Sequence, residues 1–208
     1  MRKHPISLVG PLVLLLGLSG CISLGGSKPT PPESIYTLHG GTPASTPEAM
    51  GASVVVVPKP ELPPGLGTER IALSFDQGRR LDYYADAKWS APLDALLQEF
   101  MVQKIQQELP GTVVGTPDLS TSAKYRLAFK FTEFGPVYEG NPDTPPRLDV
   151  GVTVTVIAMP RATVASQFTL KRSATAPANN LTTITSGLEK LLQDVTDEAL
   201  AKAAPSLG

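Results

Sequence analysis

The stretch LDYYADAKWSAPLDALLQEFMVQKIQQELPG, residues 81–111, changes its hydrophobic period partway along, and that change sets the class of the fold. Residues 81–84 follow a turn and return as the second arm of a hairpin. After Trp89 the period becomes helical. Leu93, Leu96, Leu97, Phe100, Met101, Ile105 and Leu109 fall on one face, while Asp94, Gln98, Glu99, Gln103, Gln106 and Glu108 fill the other. Ser90 is placed to cap this helix, and Pro110 with Gly111 stops it. The apolar stripe reads as a core face, because the polar face lacks the basic residues of an interfacial helix.

Working back from this stretch, Arg70 to Phe75 alternates with Ile71, Leu73 and Phe75 on one side, and Asp76, Gln77 and Gly78 supply the hairpin turn. Residues 53–57 (SVVVV) form a β-branched run closed by Pro58, as expected of a strand buried on both faces. Between them KPELPPGLGTER has no periodicity and is long enough to be a contact loop. Residues 33–38 (ESIYTL) read as a short first strand.

Forward from the helix, a short strand is expected at residues 112–114. Tyr125, Leu127, Phe129 and Phe131 alternate with Arg126, Ala128 and Lys130; Leu148, Val150, Val152, Val154 and Val156 alternate with Asp149, Gly151, Thr153 and Thr155. The chain turns near Met159 to Arg161, and residues 163–170 run back, so these three strands form an antiparallel meander. Residues 134–147, with Gly135, Pro136, Val137, Tyr138, Gly140, Pro142, Pro145 and Pro146, read as a long loop that either binds a partner or is a hairpin tip. Asn180 caps a second helix with Leu181, Ile184, Leu188, Leu191, Leu192 and Val195 inward, ending about Ala203 before Pro205. Strands and helices in separate runs predict an α+β domain over residues 33–204: a mostly antiparallel or mixed sheet with two amphipathic helices on one face.

The N-terminus has a different chemistry. Arg2 and Lys3 precede an aliphatic run from Ile6 to Leu18, followed by Leu18, Ser19, Gly20 and Cys21. The run is too short to span a bilayer comfortably and fits an export signal. Its end resembles the bacterial lipobox, which implies cleavage between Gly20 and Cys21 and attachment of diacylglycerol and a further acyl chain such as palmitate at Cys21. Two or more chains anchor firmly, at roughly 0.8 kcal/mol per buried methylene. Residues 21–32, rich in Pro and Gly, read as a flexible tether. Ile22 and Ser23, with no aspartate after the cysteine, resemble enteric lipoproteins sorted to the outer membrane.

Composition bounds the chemistry. The chain has one cysteine and two histidines among 208 residues. Removing residues 1–20 leaves 188 residues with 16 basic and 19 acidic side chains, a net charge of −3, which does not suggest a nucleic-acid binder. With Cys21 lipidated, no thiol remains for a disulfide, a metal or nucleophilic work. His39 then is the sole histidine and reads as solvated. Carboxylate groups such as Asp82 with Asp86, or Asp194 with Asp197 and Glu198, fit exposed faces better than acid–base machinery. Gly25 with Gly26, and the GLG at Gly65 to Gly67, lack the helix and GK[ST] context of a phosphate loop. No catalytic, cofactor or metal residue is nominated, and the expected role is not enzymatic.

The order of several motifs carries a resemblance. Tyr36 and Leu38, the valines ending at Pro58, Arg70 with Ile71, Tyr83 with Tyr84, and Lys88 with Trp89 before the helix together resemble the ABC-type transport auxiliary lipoproteins of the paraquat-inducible operon type. The resemblance implies a non-catalytic periplasmic component at the outer membrane. Its partners would be an MCE-domain (mammalian cell entry) protein, a permease and an ATPase that move lipids between membranes. A homo-oligomeric ring is also implied. Tyr84, Trp89 and Tyr138 are the candidate partner contacts, since aromatics dominate interfaces when they are at the surface; core packing is the competing role. A structural lipoprotein assembling another outer-membrane machine is the alternative function.

Overall fold

The computed structural model describes residues 33–41, 53–109, 112–115 and 123–207. Cys21, the signal and the tether lie outside the described residues. Among the described residues eight strands form one mixed sheet: β1 (Ser34–Tyr36), β2 (Ser53–Val56), β3 (Arg70–Phe75), β4 (Arg80–Trp89), β5 (Thr112–Gly115), β6 (Tyr125–Tyr138), β7 (Arg147–Ala158) and β8 (Thr163–Thr175). Two helices, α1 (Leu93–Glu108) and α2 (Leu181–Leu207), complete the α+β architecture.

β6 is the strand on which the sheet is assembled. Along one edge it pairs antiparallel with β7 from Tyr125 to Val137, and β7 pairs antiparallel with β8, which is the meander that the alternation predicts. Its other edge is shared. β2 pairs parallel at Tyr125 and Arg126, Glu61 bridges at Lys130, and β3 pairs parallel at Val137 and Tyr138. From β3 the sheet continues through β4 to β1, and from β2 to β5.

A β-bulge between Phe131 and Glu133 sets the inward face of β6. Before it the odd residues Leu127, Phe129 and Phe131 are buried; after it the even residues Phe134, Pro136 and Tyr138 are. One extra residue thus keeps the same face apolar along a 14-residue strand. The expected loop over residues 134–147 is corrected accordingly: β6 runs to Tyr138 and β7 begins at Arg147, so only residues 139–146 connect them. Glycine and proline read as loop signals there, but pairing with β7, Gly135 to Asp149 and Pro136 to Leu148, overrides them.

The even residues of β7, Leu148 to Val156, are all at most 1 % exposed and face α2. Burying each such side chain contributes roughly 1.5–3 kcal/mol. Gly187 lets α2 approach, since a Cβ there would lie 2.5 Å from Leu148 Cδ1. α1 packs beside α2: Thr196 Oγ1, which donates to Leu192 O at 2.7 Å, lies 3.6 Å from Met101 Sδ, and Lys104 Nζ lies 2.6 Å from Asp197 Oδ1. Asn180 caps α2 as expected, its Oδ1 accepting from the Thr183 N–H at 3.0 Å.

Two boundaries differ from the sequence reading. Ser90 does not cap α1. Pro92 is at the N-cap, the Leu93 N–H donates to Thr68 O, and the Ser90 N–H is used on Tyr36 O to hold β1. α2 passes Ala203 and includes Pro205, because Ala203 and Leu207 are both buried and keep the last turn on the core. Val55, Val56 and Val57 are at most 1 % exposed, as the doubly buried strand requires.

Candidate functional site

The uneven partnering of β6 leaves a gap. From Glu61 the chain runs away from β6 through Pro63 and Pro64 before returning as β3, which rejoins β6 only at Val137. The space between holds a cleft of about 550 Å³, within the size range of ligand sites. One wall is Pro63, Pro64, Leu66 and Leu81; the other is β6 from Thr132 to Gly135, with charged residues from β7 and β8. Gly135 has φ +147, a conformation side-chain-bearing residues rarely adopt, and a Cβ there would lie 3.5 Å from the Ala72 carbonyl oxygen. The two stretches singled out in the sequence, KPELPPGLGTER and residues 134–147, therefore meet at one place.

The charged wall is a ladder set by strand register. Asp149 pairs across to Gly135 and Ser173, and Gly151 to Glu133 and Lys171. Asp149 is 4 % exposed. Arg147 donates to it from Nε at 3.0 Å and from Nη2 at 3.0 Å, and Ser173 Oγ donates at 2.7 Å. Burial acts to raise the Asp149 pKa, but the Arg147 and Ser173 hydrogen bonds outweigh it and hold the carboxyl below its ordinary 3.8. Arg147 also pairs with Glu139, and Lys171 Nζ donates to Glu133 Oε1 at 2.8 Å. Both cations are thus engaged by carboxylates. The lining holds neither histidine nor cysteine.

The aromatic contact candidates are placed differently from one another. Trp89 is 1 % exposed and lies in the core cluster beside α1, so its indole offers no surface to a partner. Tyr138 is also buried and stacks on Phe75 at 5.4 Å. Tyr84 is half-buried. The two tyrosines are brought together: their hydroxyls are 2.9 Å apart. Tyr138 donates to Asn179 Oδ1 at 2.7 Å, which leaves Tyr84 as the donor to Tyr138. Asn179 Nδ2 in turn donates to Pro142 O. These groups tie β4 and β6 to the β6–β7 connection and to the segment that leads into α2.

His39 is exposed and 3.9 Å from Glu189. The other acidic groups on α2 are paired with Lys or Arg: Asp194 faces Lys190, Asp197 faces Lys104, and Glu198 faces Arg172 and Lys202. Among the described residues, no group of three or more His, Cys, Asp or Glu is placed to hold a metal, and no helix is long and apolar enough to cross a membrane. Sequence reasoning missed Asp149, Glu133 and Lys171 as members of one wall. Their polar character was visible in the alternation, but the cross-strand register that aligns them was not.

Comparison with known proteins follows the fold. The model of the family described as "ABC-type transport auxiliary lipoprotein component" matches residues 36–199. A solved protein from Xanthomonas campestris, assigned to the family DUF330, is 18 % identical with a TM-score of 0.67, covering 83 % of this chain and 96 % of that one. A second solved protein, described only as uncharacterized, is 13 % identical with a TM-score of 0.64, covering 82 % and 98 %. At these identities the likeness is one of fold. No curated protein matches the chain.

Proposed function

Because the chain belongs to the ABC-type transport auxiliary lipoprotein component family, we propose that it serves as the non-catalytic docking component of an envelope lipid transporter. In this reading residues 1–20 are cleaved as a signal, Cys21 carries the lipid, and residues 21–32 tether the domain to the periplasmic face of the outer membrane. The domain engages the periplasmic MCE-domain subunit of a system whose permease and ATPase supply the work, and it assembles as a homo-oligomer.

The observation that carries the docking role is the cleft. Two Pro-rich stretches that have no other evident use converge on it, and its charges are internally paired, as in a recognition surface rather than a reaction centre. Affinity purification of the tagged full-length chain from solubilised membranes tests the proposal. Recovery of an MCE-domain protein together with a permease and an ATPase is expected; recovery of an outer-membrane assembly machine in their place would refute it. Changing Cys21 to Ser should move the protein from the membrane fraction to the soluble periplasm, and unchanged membrane association would remove the lipid-anchor premise.

A further inference from the structure

The cleft has a hydrogen-bonding edge inside it. β7 takes one side of β6, but on the other side no described strand pairs with residues 132–135, which lie between the Glu61 bridge and the return of β3 at Val137. These residues line the cleft. An unpaired strand edge is a template for an incoming extended chain. Facing it are Pro63, Leu66 and Leu81, an apolar wall with Leu81 38 % exposed.

The charges select among ligand classes. Three carboxylates, Glu133, Glu139 and Asp149, face two cations, Arg147 and Lys171, an excess of one negative charge. An anion would meet that excess of negative charge and be repelled by it. An acyl chain would strip water from five charged groups without returning a hydrogen bond. An extended peptide restores hydrogen bonds to the strand edge, and a basic side chain on it answers the excess charge.

We propose that the cleft binds an extended peptide segment of a partner protein, its backbone pairing with β6 at residues 132–135, an apolar side chain against Leu66 and Leu81, and a basic side chain toward Glu133 and Glu139. This gives a mode for the docking described above and rests on it only for the partner's identity.

The test uses the full-length chain and random eight-residue peptides displayed on phage, with the selected peptides then synthesised and titrated. The expected peptides carry a Lys or Arg beside an apolar residue and shift the amide resonances of residues 132–135. Ser74→Trp, which fills the cleft, should weaken them at least about tenfold, and the surface change Leu81→Ser about threefold or more, with thermal unfolding midpoints retained. A selection without specific peptides, shifts that map elsewhere, or full affinity in both variants would overturn the proposal. So would cleft binding of 11-dansylaminoundecanoic acid that Ser74→Trp abolishes, because that identifies an acyl site. Peptide binding with no recovery of an MCE protein upholds the cleft and rejects only the partner; MCE recovery that is unaffected by both variants rejects the cleft and leaves the partner.

Discussion

The hydroxyls of Tyr84 and Tyr138 lie 2.9 Å apart although the residues are 54 positions distant and on strands separated by β3. Tyr138 passes its proton to Asn179, so Tyr84 must donate to Tyr138. Burial, then the bond to Tyr138, pushes the Tyr84 pKa above its ordinary 10.0. The neutral form is therefore favoured in the native state. Its contribution is complete below pH 10 and is lost as pH rises from that value toward the higher native one. Tyr84→Phe should flatten this alkaline loss in a stability-versus-pH series. Tyr138→Phe, which removes a donor and an acceptor, should cost about 1–2 kcal/mol by denaturant titration at pH 7.

Asp149 is the corresponding group at acid pH. Its carboxyl is held below the ordinary 3.8, so the stability it provides is present above that value and lost as pH falls through the lower native one. Asp149→Asn takes the buried carboxylate from Arg147, which is partly solvated and keeps Glu139, and should cost about 1–2 kcal/mol at pH 7. In urea titrations the gap between the two proteins should narrow as the pH falls below 3.8.

Lys104 is 8 % exposed between the helices and lies 2.6 Å from Asp197 and 3.4 Å from Glu108. Burial lowers its pKa, but the two carboxylates outweigh burial and raise it overall. Removing the better partner strands the ammonium, whereas replacing the lysine with an apolar chain does not. Asp197→Ala should thus destabilise by about 1–2 kcal/mol, and Lys104→Met by less than about 1 kcal/mol. The reverse order in thermal unfolding would contradict this account of the contact.

Ala162 has φ +53 in the exposed turn between β7 and β8. A side-chain-bearing residue is disfavoured there, and glycine is not. Ala162→Gly should raise stability by about 1 kcal/mol, measurable as a higher urea midpoint with an unchanged slope.

Much of the fold was legible because periodicity reports local geometry. The helical spacing from Leu93 to Ile105 and the alternation from Leu148 to Val156 both specify a buried face, and both faces are buried. What failed did so where long-range pairing outweighs local signals. Gly135 and Pro136 look like loop residues, yet they continue β6 because β7 supports them from Val137 to Gly135. Ser90 looks like a cap, yet its backbone is taken by Tyr36. Trp89 has two readings in the sequence, partner contact and core packing beside the helix, and core packing is the one found. The site was half visible: the two proline-rich stretches stood out by composition, but that they converge depends on where β3 leaves and rejoins β6, which no local pattern encodes.

The central claim, that the domain docks a transport subunit through the cleft, is most directly tested by photo-crosslinking in cells. A benzoylphenylalanine placed at Leu81 on the cleft rim should capture a periplasmic MCE-domain subunit upon irradiation, while the same group at Val164, exposed on β8 and outside the cleft lining, should not. Capture from Val164 but not from Leu81, or capture of an unrelated envelope-assembly protein at Leu81, would contradict it.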